Sequence, residues 1–399
     1  MEKVALFANE EHRRSLFPVC GRGVFLAHAA VTALPEVVAS AMSSYAQRSA
    51  CAPQEFDGVL KDYRRTRQLG ADLLGARWEE IALLGPTSLG LSLFANGITW
   101  KPGDEVVCCR DDYPANVYPW MDLERRGVQV RWLEPASLGE ITPELVRDAL
   151  TSKTRLVALA SCHFLSGYRP DLEAIGDLLH ARGILFSVDA IQTLGAFPLD
   201  VERCHVDLLS ADAHKWMLGP MAIGIVYVRQ SRFETVRPTL LGAWNVESPR
   251  FLAQEFVEFV PTARRYEPGV LNAVGIYGMK AALELLLAVK IERIATRILS
   301  LKKVLLSFLE PLGFRVLGPT GGTHASGITT VWHPETTAEK LSAALEAADI
   351  TASLRHDRSG RGYLRFSPHY YNTEEEMECV ARALSPVCRS RHVGGFSNP

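Results

Sequence analysis

Two segments about one strand apart constrain this chain more than any others. Residues 183–188 form a largely apolar run that ends in Asp189, with Gln192 three residues further on. His214-Lys215-Trp216 follows, and then the tight Gly219-Pro220 turn. A carboxylate closing one buried strand and a lysine closing a later one place opposite charges at strand carboxyl ends. Open α/β sheets bind their ligands there.

The remaining pattern suits such a sheet. Short β-branched runs alternate with helical stretches, which predicts a mostly parallel central sheet wrapped by helices. Strands are expected over residues 81–84, 105–109, 129–133, 156–160, 184–188, 207–210 and 223–228. Helices are expected over 87–96, 116–126, 142–150 and 171–182, with Thr142-Pro143-Glu144 as a helix start. A long helical pattern over 273–309 carries the chain into a smaller α+β domain. The last helix there is expected over 373–384, capped by Asn372-Thr373. The division expected is an N-terminal segment over 1–25 that packs near the active site, a large domain over 26–285 and a small one over 286–399. The tail after Arg391 is expected to fray.

Composition removes several function classes. With 399 residues, 47% of them hydrophobic, the chain can bury two cores. A net charge of −2 leaves no footprint for nucleic acid or an anionic membrane. No N-terminal apolar run has the length of a leader or a span, so a cytoplasmic protein is expected. None of the eight cysteines stands in a C-x-x-C pair, so neither a zinc site nor a disulfide framework is expected.

One cofactor suits an anion and an amine so placed. Pyridoxal 5′-phosphate (PLP) needs a carboxylate against its ring nitrogen and a lysine for its aldehyde. The Gly85-Pro86-Thr87-Ser88-Leu89-Gly90 turn opens a helix, where free backbone N–H groups and two hydroxyls suit a phosphate. Arg365, in Tyr363-Leu364-Arg365-Phe366, offers a guanidinium fork for a carboxylate, and Arg355 lies ten residues earlier.

Together these residues resemble the class V (cysteine-desulfurase-like) branch of the fold-type I PLP enzymes, from about Phe17 to Leu384. The 26-residue separation of Asp189 and Lys215 resembles that branch as well. The resemblance implies a Schiff-base lysine at Lys215 that also moves the Cα proton of an amino-acid substrate. It implies Asp189 at the ring nitrogen, Gln192 at the ring hydroxyl, Thr87, Ser88 and His214 at the phosphate, and Tyr113 stacked on the ring. It further implies Arg365 and Arg355 at the substrate carboxylate, His28 in a segment crossing the site, and a homodimer.

Three departures from the family pattern stand out. Asp212 occupies the place of a phosphate-binding serine, so it is expected to turn away or to leave the contact to Ser210 or a neighbouring subunit. Val270 replaces the threonine of Arg-Phe-Glu-x-Gly-Thr, here Arg265-Tyr266-Glu267-Pro268-Gly269-Val270. Phe164 takes the place of an asparagine near the ring. Residues 351–362 hold no cysteine, which disfavours persulfide chemistry. The resemblance then points to a C–S β-lyase acting on a cysteine derivative. An epimerase, an aminotransferase, a kynureninase-like hydrolase, a decarboxylating deaminase and a catalytically silent scaffold stay open.

Overall fold

The computed structural model describes residues 7–56 and 58–389, and the tail after Arg391 lies outside them. Seven apolar runs pair into one sheet: β1 (Ile81–Leu83), β2 (Glu105–Cys109), β3 (Gln129–Leu133), β4 (Thr154–Ala160), β5 (Leu185–Asp189), β6 (Leu208–Asp212) and β7 (Gly224–Val228). Their order across the sheet is β1-β7-β6-β5-β4-β2-β3. The pairs from β3 to β6 are parallel, and β7 runs antiparallel between β6 and β1. All but β3 and the residues Arg155 and Ala160 of β4 are buried, as sheets covered by helices on both faces require. Among the described residues no helix is long and apolar enough to cross a membrane.

Two expected helices come out differently. Residues 116–126 form a 3₁₀ turn (Pro114–Asn116), one α turn (Tyr118–Met121) and a second 3₁₀ turn (Asp122–Arg126). Pro119 removes a backbone donor within that span, which works against one continuous helix. The 273–309 pattern divides into α2 (Ala273–Val289) and α3 (Ile291–Leu309) at Lys290, whose φ is 76°. The helix α1 (Thr87–Gly97) forms close to its expected bounds.

Beyond α3 comes a four-stranded antiparallel sheet of β8 (Arg315–Leu317), β9 (Thr329–Trp332), β10 (Ser353–His356) and β11 (Gly362–Phe366). Its order is β10-β11-β9-β8, and α4 (Glu374–Arg389) closes it. The helix α4 continues beyond Leu384 with Pro386 near its end. Val24–Phe25 pairs in parallel with Ile350–Thr351 as a separate two-stranded sheet, so the chain meets the small domain's residues before it builds the large sheet.

The Arg265-Tyr266-Glu267 segment ties the edge of the large sheet. Glu267 is buried, accepts the Leu83 N–H at 2.7 Å and meets Arg67 at 2.5 Å. Burial pushes its carboxyl up, against the pull of Arg67. Glu267→Gln leaves the Arg67 cation buried without its partner. It is expected to lower unfolding free energy by about 3 kcal/mol, read from the denaturant midpoint.

Candidate active site

The carboxyl ends of β5 and β6 lie side by side, with Asp189 paired to Ser210 in register. The turns that leave them place Gln192, His214 and Lys215 around one cavity of about 510 Å³. Thr87 and Ser88 reach it from the start of α1, Tyr113 and Phe164 from two loops, and Arg355 and Arg365 from the small sheet. That volume lies within the range of small-molecule sites.

Lys215 is buried, and burial pulls its amine below the ordinary lysine range, while the nearby Asp189 charge pulls the other way. Asp189 is also buried, which pushes its carboxyl up, and the Ile191 N–H it accepts at 3.0 Å opposes that shift. A cationic ring nitrogen is the kind of partner such a carboxylate lacks in the protein alone. Lys215 Nζ stands 5.3 Å from the centre of the Tyr113 ring, which packs edge-on to Phe164 with centroids 5.5 Å apart.

The Tyr113 loop is held by Asp112, which accepts the Tyr113 N–H at 2.8 Å and the Asn116 amide at 2.9 Å. Burial raises the Asp112 carboxyl to about 6. Sequence reasoning passed over this residue, although an Asp followed by Asn four places on before a broken helix is a local clasp. Trp216 was also passed over except as a neighbour of the lysine. Its indole N–H donates to Gln192 Oε1 at 3.0 Å, and its carbonyl accepts from His369 Nε2 at 3.0 Å. Gln192 gives one amide hydrogen to the Ala29 carbonyl at 3.1 Å, so it is oriented before any ligand arrives.

Three of the expected residues do not line the cavity: Asp189 lies buried at the end of β5 near Lys215, and His28 and Ser210 serve other partners. His28 is fully buried behind the cavity, donating from Nδ1 to the Ser367 carbonyl at 2.8 Å and accepting the Tyr371 hydroxyl at Nε2, 2.9 Å away. Its neighbours Ala29, Ala30 and Val31 line the cavity instead, so its segment crosses the site while its ring anchors that segment. Ser210 donates to the Thr87 carbonyl at 3.0 Å and so pins the start of α1 from beneath. A Cβ on Gly90 would run into the Ser210 hydroxyl, which is why α1 needs glycine where it crosses β6.

Asp212 does turn away. Its Oδ1 accepts the Ala213 and Ile223 N–H groups at 2.9 and 3.1 Å, and its Oδ2 lies 2.9 Å from His214 Nδ1. The Thr87 hydroxyl accepts the Asp212 N–H at 2.8 Å and keeps its own hydrogen to donate. Through these contacts Asp212 anchors the turn that brings His214 to the cavity, a positioning task that a serine facing a phosphate would not perform. Asp212→Asn is expected to weaken PLP binding by ~10-fold or more, with binding of phosphate-free pyridoxal much less affected. Fluorescence titration of the apo protein with both compounds reads the difference.

Arg365 is the other marked feature. It is buried, and its Nη1 donates to the Phe164 carbonyl at 2.6 Å. Among the described residues its Nε and Nη2 have no hydrogen-bond partner. An unpaired fork buried at a cavity that also holds a lysine suits the carboxylate of an amino acid. Hydroxyls and a helix start for a phosphate, an amine, a buried anion and this fork together fit PLP with an amino acid beside it.

Fold and site define a PLP-dependent enzyme of fold type I. A family model described as Aminotransferase class-V matches residues 24–380, and the chain belongs to that family, with PLP as its cofactor. It is 26% identical to a probable cysteine desulfurase of Methanothermobacter thermautotrophicus, over 96% of this chain and 99% of that one. The apo cysteine desulfurase of Thermococcus onnurineus superposes with a TM-score of 0.88 at 24% identity, covering 96% of this chain and 99% of its own. The cystine C–S lyase C-DES, solved with its product cysteine persulfide, gives 0.84 at 20% identity, covering 92% and 99%.

Proposed function

We propose that the protein is a C–S β-lyase acting on a cysteine derivative. The observation that carries this reading is the hairpin between β10 and β11. Persulfide transfer by a desulfurase needs a mobile cysteine shortly before the substrate arginine. Here residues 351–362 have none, and Arg358 at the hairpin tip pairs with Asp111 and the Arg110 carbonyl, pinning it down. Cys162 stands nearer the site, but it is buried and its thiol is pushed up to about 11 by burial. Cys379 lies on α4, away from the cavity.

The residues can divide the work of β-elimination. Arg365 holds the substrate carboxylate and thereby sets which Cα bond faces Lys215. Lys215, with an amine made less basic by burial, takes the Cα proton. PLP, when bound, supplies the sink for the electron pair left at Cα. As that proton leaves, a Cα–Cβ double bond forms, the Cβ–S bond breaks and the sulfur departs as thiolate. Water converts the released enamine to pyruvate and ammonia. Tyr113, Phe164 and Val31 give the sulfur substituent apolar walls.

The test is product analysis on the PLP-loaded enzyme with S-substituted cysteines. Equal amounts of pyruvate, ammonia and free thiol support the reading. Hydrogen exchange at Cα in heavy water with no thiol release overturns it in favour of an epimerase or aminotransferase. We further propose a homodimer, supported by the exposed apolar side chains Leu241, Phe251, Phe256 and Val270 on one stretch of chain. Sedimentation at monomer mass would count against it.

A further inference from the structure

The cavity holds one more cation than an α-carboxylate requires. Ser353 stands opposite Arg365 and Arg355 opposite Tyr363 in the β10–β11 ladder. Paired residues share a face, and so do residues two apart along one strand. Arg355 and Arg365 are therefore diagonal neighbours on one face, about 7–8 Å apart at their backbones. Both line the cavity. Their closeness also shows in Arg365, whose proton affinity the Arg355 charge helps to depress.

The other arginines of this hairpin are occupied. Arg358 pairs with Asp111, and Arg361 lies over the Trp332 ring at 4.7 Å. Arg355 gives one hydrogen bond, to the adjacent Leu354 carbonyl at 3.2 Å, and among the described residues it meets no carboxylate. The phosphate donors Thr87, Ser88 and His214 come from the large-sheet side, whereas Arg355 comes from the small sheet beside the carboxylate fork. Tyr113 and Phe164 supply apolar wall in the same cavity.

We propose that Arg355 forms a second anion subsite, so that the substrate is a cysteine conjugate whose S-linked group ends in a carboxylate or comparable anion. This substrate class rests on the lyase reading, although the subsite itself is a property of binding alone. The α-carboxylate takes Arg365, the apolar stem of the conjugate lies against Tyr113 and Phe164, and the distal anion meets Arg355. A conjugate with a neutral end leaves the Arg355 cation without a partner.

The experiment compares S-carboxymethylcysteine with its neutral isostere S-carbamoylmethylcysteine on the PLP-loaded enzyme. Affinity is read from the change in cofactor absorbance and, separately, by calorimetry. The acid is expected to bind at least ~10-fold more tightly than the amide, the range of a charge-assisted hydrogen bond. In Arg355→Met that ratio collapses towards one, and Arg355→Lys restores part of it. The edge position of β10 and the half-buried Arg355 make these variants compatible with folding, which circular dichroism checks. Preference for the acid without thiol release keeps the subsite and removes the lyase. Equal affinity in the wild type, a ratio unmoved in Arg355→Met, or no binding of either compound overturns the proposal. So does a loss in Arg355→Met confined to PLP affinity, which would give Arg355 to the phosphate.

Discussion

Replacing Lys215 by alanine is expected to abolish the covalent bond to PLP and to lower kcat/KM by more than about 10³-fold, because one group serves as both anchor and base. Cofactor retention after borohydride treatment and denaturation reads the anchor, and Cα–H exchange in heavy water reads the base. The fold should survive, since the substitution removes a cation that burial already disfavours. A less basic amine alone does not mark the site. Lys302 is more deeply buried, and burial lowers its amine to about 8. Yet Lys302 donates to the Ile328 carbonyl at 2.8 Å and lies outside the cavity. What separates the two lysines is access to a cavity and a carboxylate at the next strand end. PLP trapped on Lys215→Ala at Lys302 or elsewhere, with turnover retained, would overturn the assignment.

How much of this was legible in the sequence follows from where each residue gets its constraint. The strands of the large sheet appear within two residues of their expected bounds, because buried parallel strands are written as dense β-branched runs. Asp189 could be placed from those runs because it is the last residue of β5, and Lys215 because only a short turn separates it from the end of β6 at Asp212. The loop side chains were harder to read. Ser210 and His28 had the right positions along the chain, yet their polar atoms are taken by the Thr87 and Ser367 carbonyls, and only packing in three dimensions reveals such partners. Asp212 shows the same limit from the other side. A carboxylate near a phosphate site reads as repulsion until the fold shows two backbone N–H groups and His214 around it. The broken helix after Asn116 carries its cause openly in Pro119, a residue that helical periodicity by itself does not weigh.

Arg365→Met should lose function and gain stability together, and that opposition separates a binding residue from a structural one. Burial lowers the proton affinity of Arg365 to about 9, with Arg355 adding to the effect, yet a guanidinium at that value is still charged at neutral pH. The free enzyme therefore holds a buried cation whose Nε and Nη2 have no partner among the described residues, a state that costs folding free energy. Methionine removes the charge, roughly keeps the volume, and forfeits only the bond from Nη1 to the Phe164 carbonyl. The melting temperature of the apo protein should then stay level or rise. Substrate affinity should fall by at least ~30-fold, because two charge-assisted bonds to the carboxylate disappear. Arg365→Lys should recover little, since a point charge cannot form the fork that orients Cα. Binding titrations with S-ethylcysteine and a thermal melt of the apo protein measure both halves. If affinity holds while the melting temperature drops, Arg365 supports the Phe164 loop and the carboxylate is gripped elsewhere.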